Sequence, residues 1–200
     1  MTRGPELRQG LVRLRPMAAR DADRIWESVQ DPEGMRLTGT TREITREMVD
    51  EWCADVSDRP DRYDWAITPG QYRDGKPISD ELIGEIVLNE MDSRTRSANL
   101  RLQLLKDYRG RGYGGEAIQA VLKFAFDGSR DADGEWEEGP RLHRLSLSVL
   151  ALNPRALHLY ESLGFVEEGR LRDAHQDGGT WTDEIVMSML ENEYRDRFGS

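Results

Sequence analysis

Apolar and polar residues alternate in several short stretches of this chain, and alternation with a period of two is typical of a half-buried β-strand. The most regular stretch runs through Ala98, Leu100, Leu102 and Leu104, with polar residues between them. The alternation ends at Leu104-Leu105, where a β-bulge and a strand end are both compatible with the sequence. Less regular stretches predict further strands at residues 11–16, 63–68, 82–88, 142–152, 165–171 and 181–190.

Apolar residues at helical spacing predict four helices. The first passes through Ile25 and Val29, the second spans about residues 45–56, and the third carries its apolar face from Ala117 to Ala125. The fourth begins at Asn153-Pro154, because Asn is a favoured N-cap and Pro a favoured first helical residue. Residues 31–41 read as a loop, and a turn is expected near residues 177–179.

The resulting order is β-α-α-β-β-β-α-β-α-β-β. Three consecutive strands in the middle favour an α+β fold with a mostly antiparallel sheet over a doubly wound parallel one. We expect one domain over residues 1–200, with a core from about residue 11 to residue 190 and an acidic loop insertion at residues 127–140.

The composition is that of a globular chain: 200 residues, 37% hydrophobic and 33% charged. It excludes a collagen, a disulfide scaffold and a wholly disordered chain. No stretch approaches the roughly 18 consecutive apolar residues that a membrane span needs. The first residues lack the apolar segment of a secretory signal, and Cys53 is the only cysteine, so a cytoplasmic location is expected.

The net charge of −10 argues against nucleic acids and anionic membrane surfaces as partners. Six of the acidic residues lie between Asp127 and Pro140, in a glycine-rich segment without periodicity. A solvated loop is the simpler interpretation of this segment. The alternative is an acidic lip that attracts cationic substrates.

Glycines and arginines are concentrated just before the third helix, in Arg109-Gly-Arg-Gly112-Tyr-Gly-Gly115. Glycines allow close approach of the backbone, the N–H groups at a helix start attract anions, and Arg109 and Arg111 would add positive charge beside them. We therefore predict an anion site, with a pyrophosphate as the most plausible ligand. A tight turn without a ligand is the alternative.

Gly110, Gly112 and Gly115 also fit the dinucleotide fingerprint G-x-G-x-x-G, which alone is a weak signal. That fingerprint requires an acidic residue at the end of the next strand, about 20 residues on, and this interval falls inside the acidic segment. A dinucleotide oxidoreductase is therefore disfavoured. The phosphate-loop pattern G-x-x-x-x-G-K-S/T is absent from the sequence.

The stretch Arg109-Gly-Arg-Gly112-Tyr-Gly114 fits R/Q-x-x-G-x-G/A, the acetyl-CoA signature of the GNAT superfamily of N-acetyltransferases. Residues 153–165, NPRALHLYESLGF, resemble the second signature of that superfamily. Residues 165–172 and 179–183 are similar to its RimJ/RimL-like branch, which contains ribosomal-protein alanine and spermidine acetyltransferases. The resemblance extends from about residue 11 to residue 190.

In that superfamily acetyl-CoA lies in a wedge between two neighbouring strands that splay apart. The resemblance implies that these are residues 98–105 and 142–152, and that the backbone around Leu104 and Leu105 pairs with the pantetheine arm. It also implies a hydrogen bond from Asn153 to the pantetheine. The pyrophosphate would be held by the N–H groups of Arg109, Gly110, Arg111, Gly112, Tyr113, Gly114 and Gly115.

The resemblance makes Tyr160 the general acid that protonates the departing CoA thiolate, although a tyrosine on an apolar helix face is often only a core residue. For the base, Glu85 is the first candidate because it lies in an otherwise apolar strand, where burial would raise its pKa. A solvated, outward-facing Glu85 is the alternative. Glu90 and Asp183 are weaker candidates.

Other reactive residues have no spacing that indicates chemistry. No metal is expected, because His143, His158 and His175 lack metal-ligand spacing. Cys53 is not expected to be a nucleophile. Four tryptophans are expected in the core or in a pocket wall: Trp26, Trp52, Trp65 and Trp181.

The resemblance thus implies an acetyl-CoA-dependent N-acetyltransferase that works by direct attack in a ternary complex. The acceptor would be a primary amine: a protein N-terminus, a polyamine or an aminoglycoside-like cation. Another acyl group is compatible with the same motifs, and the resemblance also suggests a homodimer. The alternative function is a CoA-binding regulatory or interaction module without turnover.

Overall fold

The structure, a computed structural model, describes residues 4–130, 136–137 and 139–199. An eight-stranded sheet forms its centre, in the spatial order β1-β2-β3-β4-β5-β6-β8-β7. Its strands are β1 Leu7–Gln9, β2 Val12–Pro16, β3 Tyr63–Pro69, β4 Gly84–Asp92, β5 Ser97–Leu104, β6 Arg144–Leu150, β7 Val166–Asp177 and β8 Thr180–Leu190. Every neighbouring pair is antiparallel except β5 and β6, which are parallel. The predicted α+β class with a mostly antiparallel sheet is confirmed.

Helices lie on both faces of this sheet. They are α1 Ala22–Val29, α2 Pro32–Leu37, α3 Arg46–Asp55, α4 Tyr113–Asp127, α5 Pro154–Leu163 and α6 Glu191–Phe198. The predicted N-cap of α5 is confirmed, since the Asn153 side chain accepts a hydrogen bond from the N–H of Ala156. The helix then ends at Gly164, which has the positive φ that favours glycine.

Several elements differ from the prediction, among them short strand pairs at residues 72–73 with 76–77 and at residues 129–130 with 136–137. Residues 31–41 were expected to be a loop, but they contain α2, whose N-cap Asp31 accepts from the N–H of Glu33. Strand β1 and helix α6 were not predicted at all. At Leu104-Leu105 the strand ends without a bulge, and the N–H of Leu105 donates to the Ile83 carbonyl.

The core has two parts, one on each face of the sheet. On one face α4 packs against the strands, where Phe124 contacts the edges of Tyr63 and Trp65. On the other face α1 and α3 bury Ile25, Val49 and Cys53. Burial raises the pKa of the Cys53 thiol to about 12, which keeps it in the unreactive thiol form.

The tryptophans divide between the core and the surface. Trp65 is fully buried, as predicted. Trp181 is 61% exposed on β8, so its expected place in the core or a pocket wall is wrong. Trp52 is half-buried, and the guanidinium groups of Arg59 and Arg62 cover its ring. Trp26 packs against the core on the α1 and α3 face.

Residues 131–135 and 138 of the acidic segment lie outside the described residues. At its start, the Asp127 carboxylate accepts a hydrogen bond of 2.6 Å from the hydroxyl of Tyr194 on α6. Among the residues that the structure describes, no helix combines the length and the apolar character needed to cross a bilayer. The same part of the chain holds no group of three or more side chains suited to a metal ion.

Candidate active site

Strands β5 and β6 pair only at their beginnings. Their parallel ladder joins Arg144 to Ser97, Leu145 to Ala98 and Ser146 to Asn99, and no further pair follows. Beyond it β5 continues to Leu104 and β6 to Leu150. The two strands therefore diverge, and the backbone edges along the gap can pair with an extended ligand that carries amide groups.

The glycine loop lies between β5 and α4. Gly110 and Gly112 have φ values of +74° and +88°, a backbone conformation that other residues rarely adopt. Gly112 is the N-cap of α4, so the N–H groups of the first helical turn at residues 113–115 have no acceptor within the helix. Together with the positive end of the helix dipole, these donors are suited to binding an anion.

Arg109 does not direct its charge into this loop. Its guanidinium donates to the Asp31 carboxylate at 2.6 Å and to the Leu104 carbonyl at 3.0 Å. Its own N–H donates to the Lys106 carbonyl. Arg109 therefore anchors the loop to β5 and α2, and its N–H is already used in a turn.

Two other arginines lie closer to the loop's open side. Arg111 is exposed within the loop itself. The Arg155 guanidinium on α5 comes within 3.9 Å of the point that a Cβ on Gly110 would occupy. Arg155 was not predicted as a site residue, because its proximity depends on how α5 packs beside α4.

Leu104 and Leu105 differ in what they can offer a ligand. The N–H of Leu105 donates to Ile83 and its carbonyl accepts from the N–H of Tyr108, so both of its polar backbone groups already have partners. Leu104 is the last residue of β5, next to the gap, and its carbonyl accepts from the Arg109 guanidinium. Backbone pairing to a ligand here therefore depends on Leu104 and the residues before it.

Tyr160 and Asn153 both lie on α5, which follows β6 directly. Tyr160 is 8% exposed, and burial raises the pKa of its phenol to about 12. Within the described chain its hydroxyl has no hydrogen-bond partner, and its oxygen is not completely shielded from solvent. Asn153 uses only its side-chain oxygen for the helix cap, so its amide NH₂ group can donate to a ligand.

Glu85 lies in the middle of the sheet, paired with Ala66 on β3 and Gln103 on β5. Burial raises the pKa of its carboxyl, and the charge of Asp64 adds to this effect, while Arg101 and Arg62 oppose it. The other candidate bases are placed differently. Glu90 lies at an irregularity in β4 with a φ of +52°, and the Asp183 carboxylate accepts from the N–H of Asp173.

A cavity of about 200 Å³ adjoins the end of β6. It lies between the segment that follows α2 and the β7–β8 hairpin, and its lining includes Gly39, Leu150, Leu152 and His175. His175 is hydrogen-bonded to Glu184 at 3.0 Å. The sequence prediction missed this pair, whose partners are brought together by the register of the hairpin.

A larger cavity, of about 470 Å³, lies at the opposite end of β5, among Arg96, Glu191 and Arg195. The Glu191 carboxylate pairs with both arginines there. This cavity has no contact with the glycine loop or the strand gap.

A sheet that splays beside a glycine-rich helix start, with a tyrosine on the next helix, is the arrangement that the resemblance to N-acetyltransferases implied. Residues 12–166 match the acetyltransferase (GNAT) domain family. The chain belongs to this family.

Relatives and solved structures agree with this assignment. A spermidine N(1)-acetyltransferase of Vibrio cholerae is 32% identical over 116 residues, which cover 58% of this chain and 61% of that enzyme. An uncharacterized N-acetyltransferase p20 of Bacillus licheniformis is 26% identical over 90% of this chain and 93% of its own length.

Among solved structures, the spermidine N-acetyltransferase of Vibrio cholerae in complex with CoA and spermine superposes with a TM-score of 0.75. The match covers 92% of this chain and 98% of that chain at 24% identity, so it concerns the fold.

Proposed function

We propose that this protein is an acetyl-CoA-dependent N-acetyltransferase that moves an acetyl group to a primary amine by direct attack in a ternary complex. The observation that carries the proposal is the divergence of β5 and β6 beside the glycine loop at the start of α4. A gap with unpaired strand edges suits the amide-containing pantetheine arm. An adjacent anion site suits the pyrophosphate of the same molecule.

The chain's residues fit this ligand in three places. The N–H groups of residues 110–115 hold the pyrophosphate, and Arg111 and Arg155 add positive charge beside it. The backbone around Leu104 pairs with the pantetheine arm. The amide NH₂ of Asn153 donates to an acceptor on the same arm while its oxygen caps α5.

Tyr160 acts as the general acid. Because burial raises the pKa of its phenol to about 12, the hydroxyl keeps its proton across the neutral range and can donate it to the departing thiolate. The absence of a hydrogen-bond partner among the described residues leaves this proton available to the sulfur.

Glu85 is the candidate that the sequence offers for the base. Its raised pKa brings a carboxyl closer to the range in which it can exchange a proton at neutral pH.

The acceptor is a primary amine, and a polyamine is the first class to test because a relative is named for spermidine. The other two acceptor classes to test are a protein N-terminus and an aminoglycoside-like cation. Self-association as a homodimer also stays a prediction.

The test is release of free thiol from acetyl-CoA in the presence of spermidine, an aminoglycoside or a peptide with a free N-terminus. We expect turnover with at least one amine and a loss of about 10²- to 10⁴-fold in kcat for Tyr160→Phe, with unchanged acetyl-CoA affinity. Tyr194→Phe is the matched control, since Tyr194 is buried at the other end of the sheet.

The control variant should retain the turnover of the unmodified protein. Binding of acetyl-CoA without consumption of any amine would favour the regulatory-module alternative. Failure to bind CoA at all would refute the proposed ligand site. Parallel assays with succinyl-CoA test whether the acyl group is acetyl.

A further inference from the structure

The cavity of about 200 Å³ borders the place where the acetyl group would lie, if the proposed function holds. Leu150, the last residue of β6, and Leu152 both line it. Asn153, the proposed pantetheine contact, follows directly, and its N–H donates to the Leu150 carbonyl. The cavity therefore opens beside the strand that forms one side of the gap.

A histidine–carboxylate pair forms part of the cavity wall. The Nε2 atom of His175 lies 3.0 Å from a carboxylate oxygen of Glu184. Burial alone would raise the pKa of the Glu184 carboxyl, but the hydrogen bonds from Ser148 and His175 outweigh it and hold that pKa below its usual range. A carboxylate at Nε2 fixes the hydrogen on that nitrogen, so Nδ1 carries the lone pair.

The Nδ1 atom faces a position without a side chain. A Cβ on Gly39 would lie 3.0 Å from it, and Gly39, with a φ of +65°, lines the same cavity. Within the described residues Nδ1 has no hydrogen-bond partner. The neutral imidazole thus presents a proton acceptor to the cavity.

The other charged groups on this cavity compensate each other. Arg36 from α2 forms a two-pronged ion pair with Asp177 from β7, with distances of 2.7 and 2.6 Å. Glu184 on β8 contacts the opposite side of the imidazole ring. His175 therefore faces the Glu184 carboxylate at Nε2 and, at the cavity rim, the Arg36–Asp177 ion pair, whose two charges cancel.

We infer that His175, oriented by Glu184, is the group that takes the proton from the acceptor amine. One proton passes from the ammonium to Nδ1, and the nitrogen lone pair then forms the C–N bond at the thioester carbonyl carbon. The C–S bond breaks, and its electron pair leaves with the thiolate, which Tyr160 protonates. After the C–N bond has formed, the nitrogen loses a second proton, which restores the Tyr160 hydroxyl. The reaction therefore releases one net proton, and it leaves through His175.

Glu85 is less well placed for this step. It pairs with strands β3 and β5, on the other side of the gap from β6, and its charge acts on Cys53 of α3. The lining of the cavity, in the part of the chain that the structure describes, does not include it.

The experiment measures kcat/KM for the amine as a function of pH in the unmodified protein and in His175→Asn, Glu184→Gln and Glu85→Gln. For His175→Asn we expect a loss of about 10²-fold at pH 7. The loss should shrink as pH rises toward the pKa of the amine, because an amine that is already unprotonated needs no base. Acetyl-CoA affinity, measured by calorimetry, should not change.

Glu184→Gln should show a smaller loss with the same pH trend, and it keeps the proposal testable if His175→Asn fails to fold. His143→Asn is the matched control, since His143 lies at the other end of β6 and 58% of its side chain is exposed. It should match the unmodified protein.

The inference is overturned if His175→Asn keeps the turnover and pH profile of the unmodified protein. It is overturned more decisively if Glu85→Gln, instead of His175→Asn, shows the loss of kcat/KM at pH 7 that shrinks as pH rises. Absence of amine acetylation by the unmodified protein would count against the proposed function itself. The two failures are therefore distinguishable.

Discussion

The Arg109 guanidinium lies 2.6 Å from the Asp31 carboxylate, so the first residue of the glycine loop is bonded to the N-cap of α2. The same guanidinium holds the Leu104 carbonyl at the end of β5. Arg36, near the other end of α2, pairs with Asp177 beside the cavity. Helix α2 thus connects the proposed pyrophosphate loop to the proposed acceptor cavity.

We expect Asp31→Asn to weaken acetyl-CoA binding and to lower the free energy of unfolding by about 1–3 kcal/mol, because it leaves a largely buried guanidinium with only the longer contact of 3.4 Å to the exposed Glu33 carboxylate. Asn keeps the helix cap through one oxygen, so the variant removes the charge and the second oxygen, which accepts from Arg109. Calorimetry and urea unfolding measure the two effects.

Arg109→Gln and the double variant complete a cycle that isolates the coupling between the two residues. Additive effects in this cycle, or an Asp31→Asn protein with unchanged affinity and stability, would show that the ion pair does not position the loop.

The close approach of β4 to β5 at Gly84 provides a second test. A Cβ there would lie 2.5 Å from the Gln103 carbonyl oxygen and 3.1 Å from the Leu104 Cα, and both contacts are to backbone atoms that cannot rotate away. We expect Gly84→Ala to destabilise the fold by about 1–3 kcal/mol and to weaken acetyl-CoA binding, since β5 must shift at the gap.

Gly169→Ala is the matched control for this change. Gly169 lies in β7 with open space where its Cβ would be, so a change within about 0.5 kcal/mol is expected. Equal melting temperatures for the two alanine variants would contradict the claim that Gly84 is required by close packing.

The signals that correctly predicted the elements around the candidate site are local ones. Alternation located β5, and Asn153-Pro154 located the start of α5, because capping depends on residues that are neighbours in sequence. An N-cap residue followed by proline is also present at Asp31-Pro32, where it marks the start of α2. The sequence pattern nevertheless predicts a loop there, since the helix that follows is short and weakly apolar.

Side-chain partners distant in sequence could not be predicted. Arg109 was expected to charge the glycine loop, but its partner Asp31 is 78 residues away and is brought near only by packing. The His175–Glu184 pair depends on the hairpin register, which shifts between Leu171 and His175. A shift of one residue in a strand turns side chains to the other face, so sequence spacing alone does not identify the pair.

The ion pair between Arg144 and Glu168 predicts a specific dependence of stability on pH. The Arg144 guanidinium, together with a hydrogen bond from Ser188, lowers the pKa of the Glu168 carboxyl to about 2. A lowered folded-state pKa contributes stability that is present above the unfolded pKa, near 4.3, and is lost as pH falls toward 2.

We expect Glu168→Gln to remove about 0.5–1 kcal/mol of stability at pH 7 and almost none at pH 2, a small effect because solvent screens this partly exposed pair. Urea unfolding at pH 7, 4 and 2 measures it. Glu161→Gln, at an exposed position on α5, is the control. An equal loss at all three pH values would rule out the ion pair as its source.

Asn153 allows the cap and the ligand contact to be separated, because its oxygen and its NH₂ group serve the two roles. Ser is also a favoured N-cap and carries no charge, so Asn153→Ser should keep the stability of α5. It lacks the amide donors, so KM for acetyl-CoA should rise about two- to tenfold, the equivalent of one neutral hydrogen bond of about 0.5–1.5 kcal/mol. Asn153→Ala should show the same rise in KM and, in addition, a loss of about 1 kcal/mol in the free energy of unfolding. Steady-state kinetics and urea unfolding of both variants distinguish the roles. An Asn153→Ser protein with unchanged KM would restrict this residue to capping, and the pantetheine would then be held by the strand edges alone.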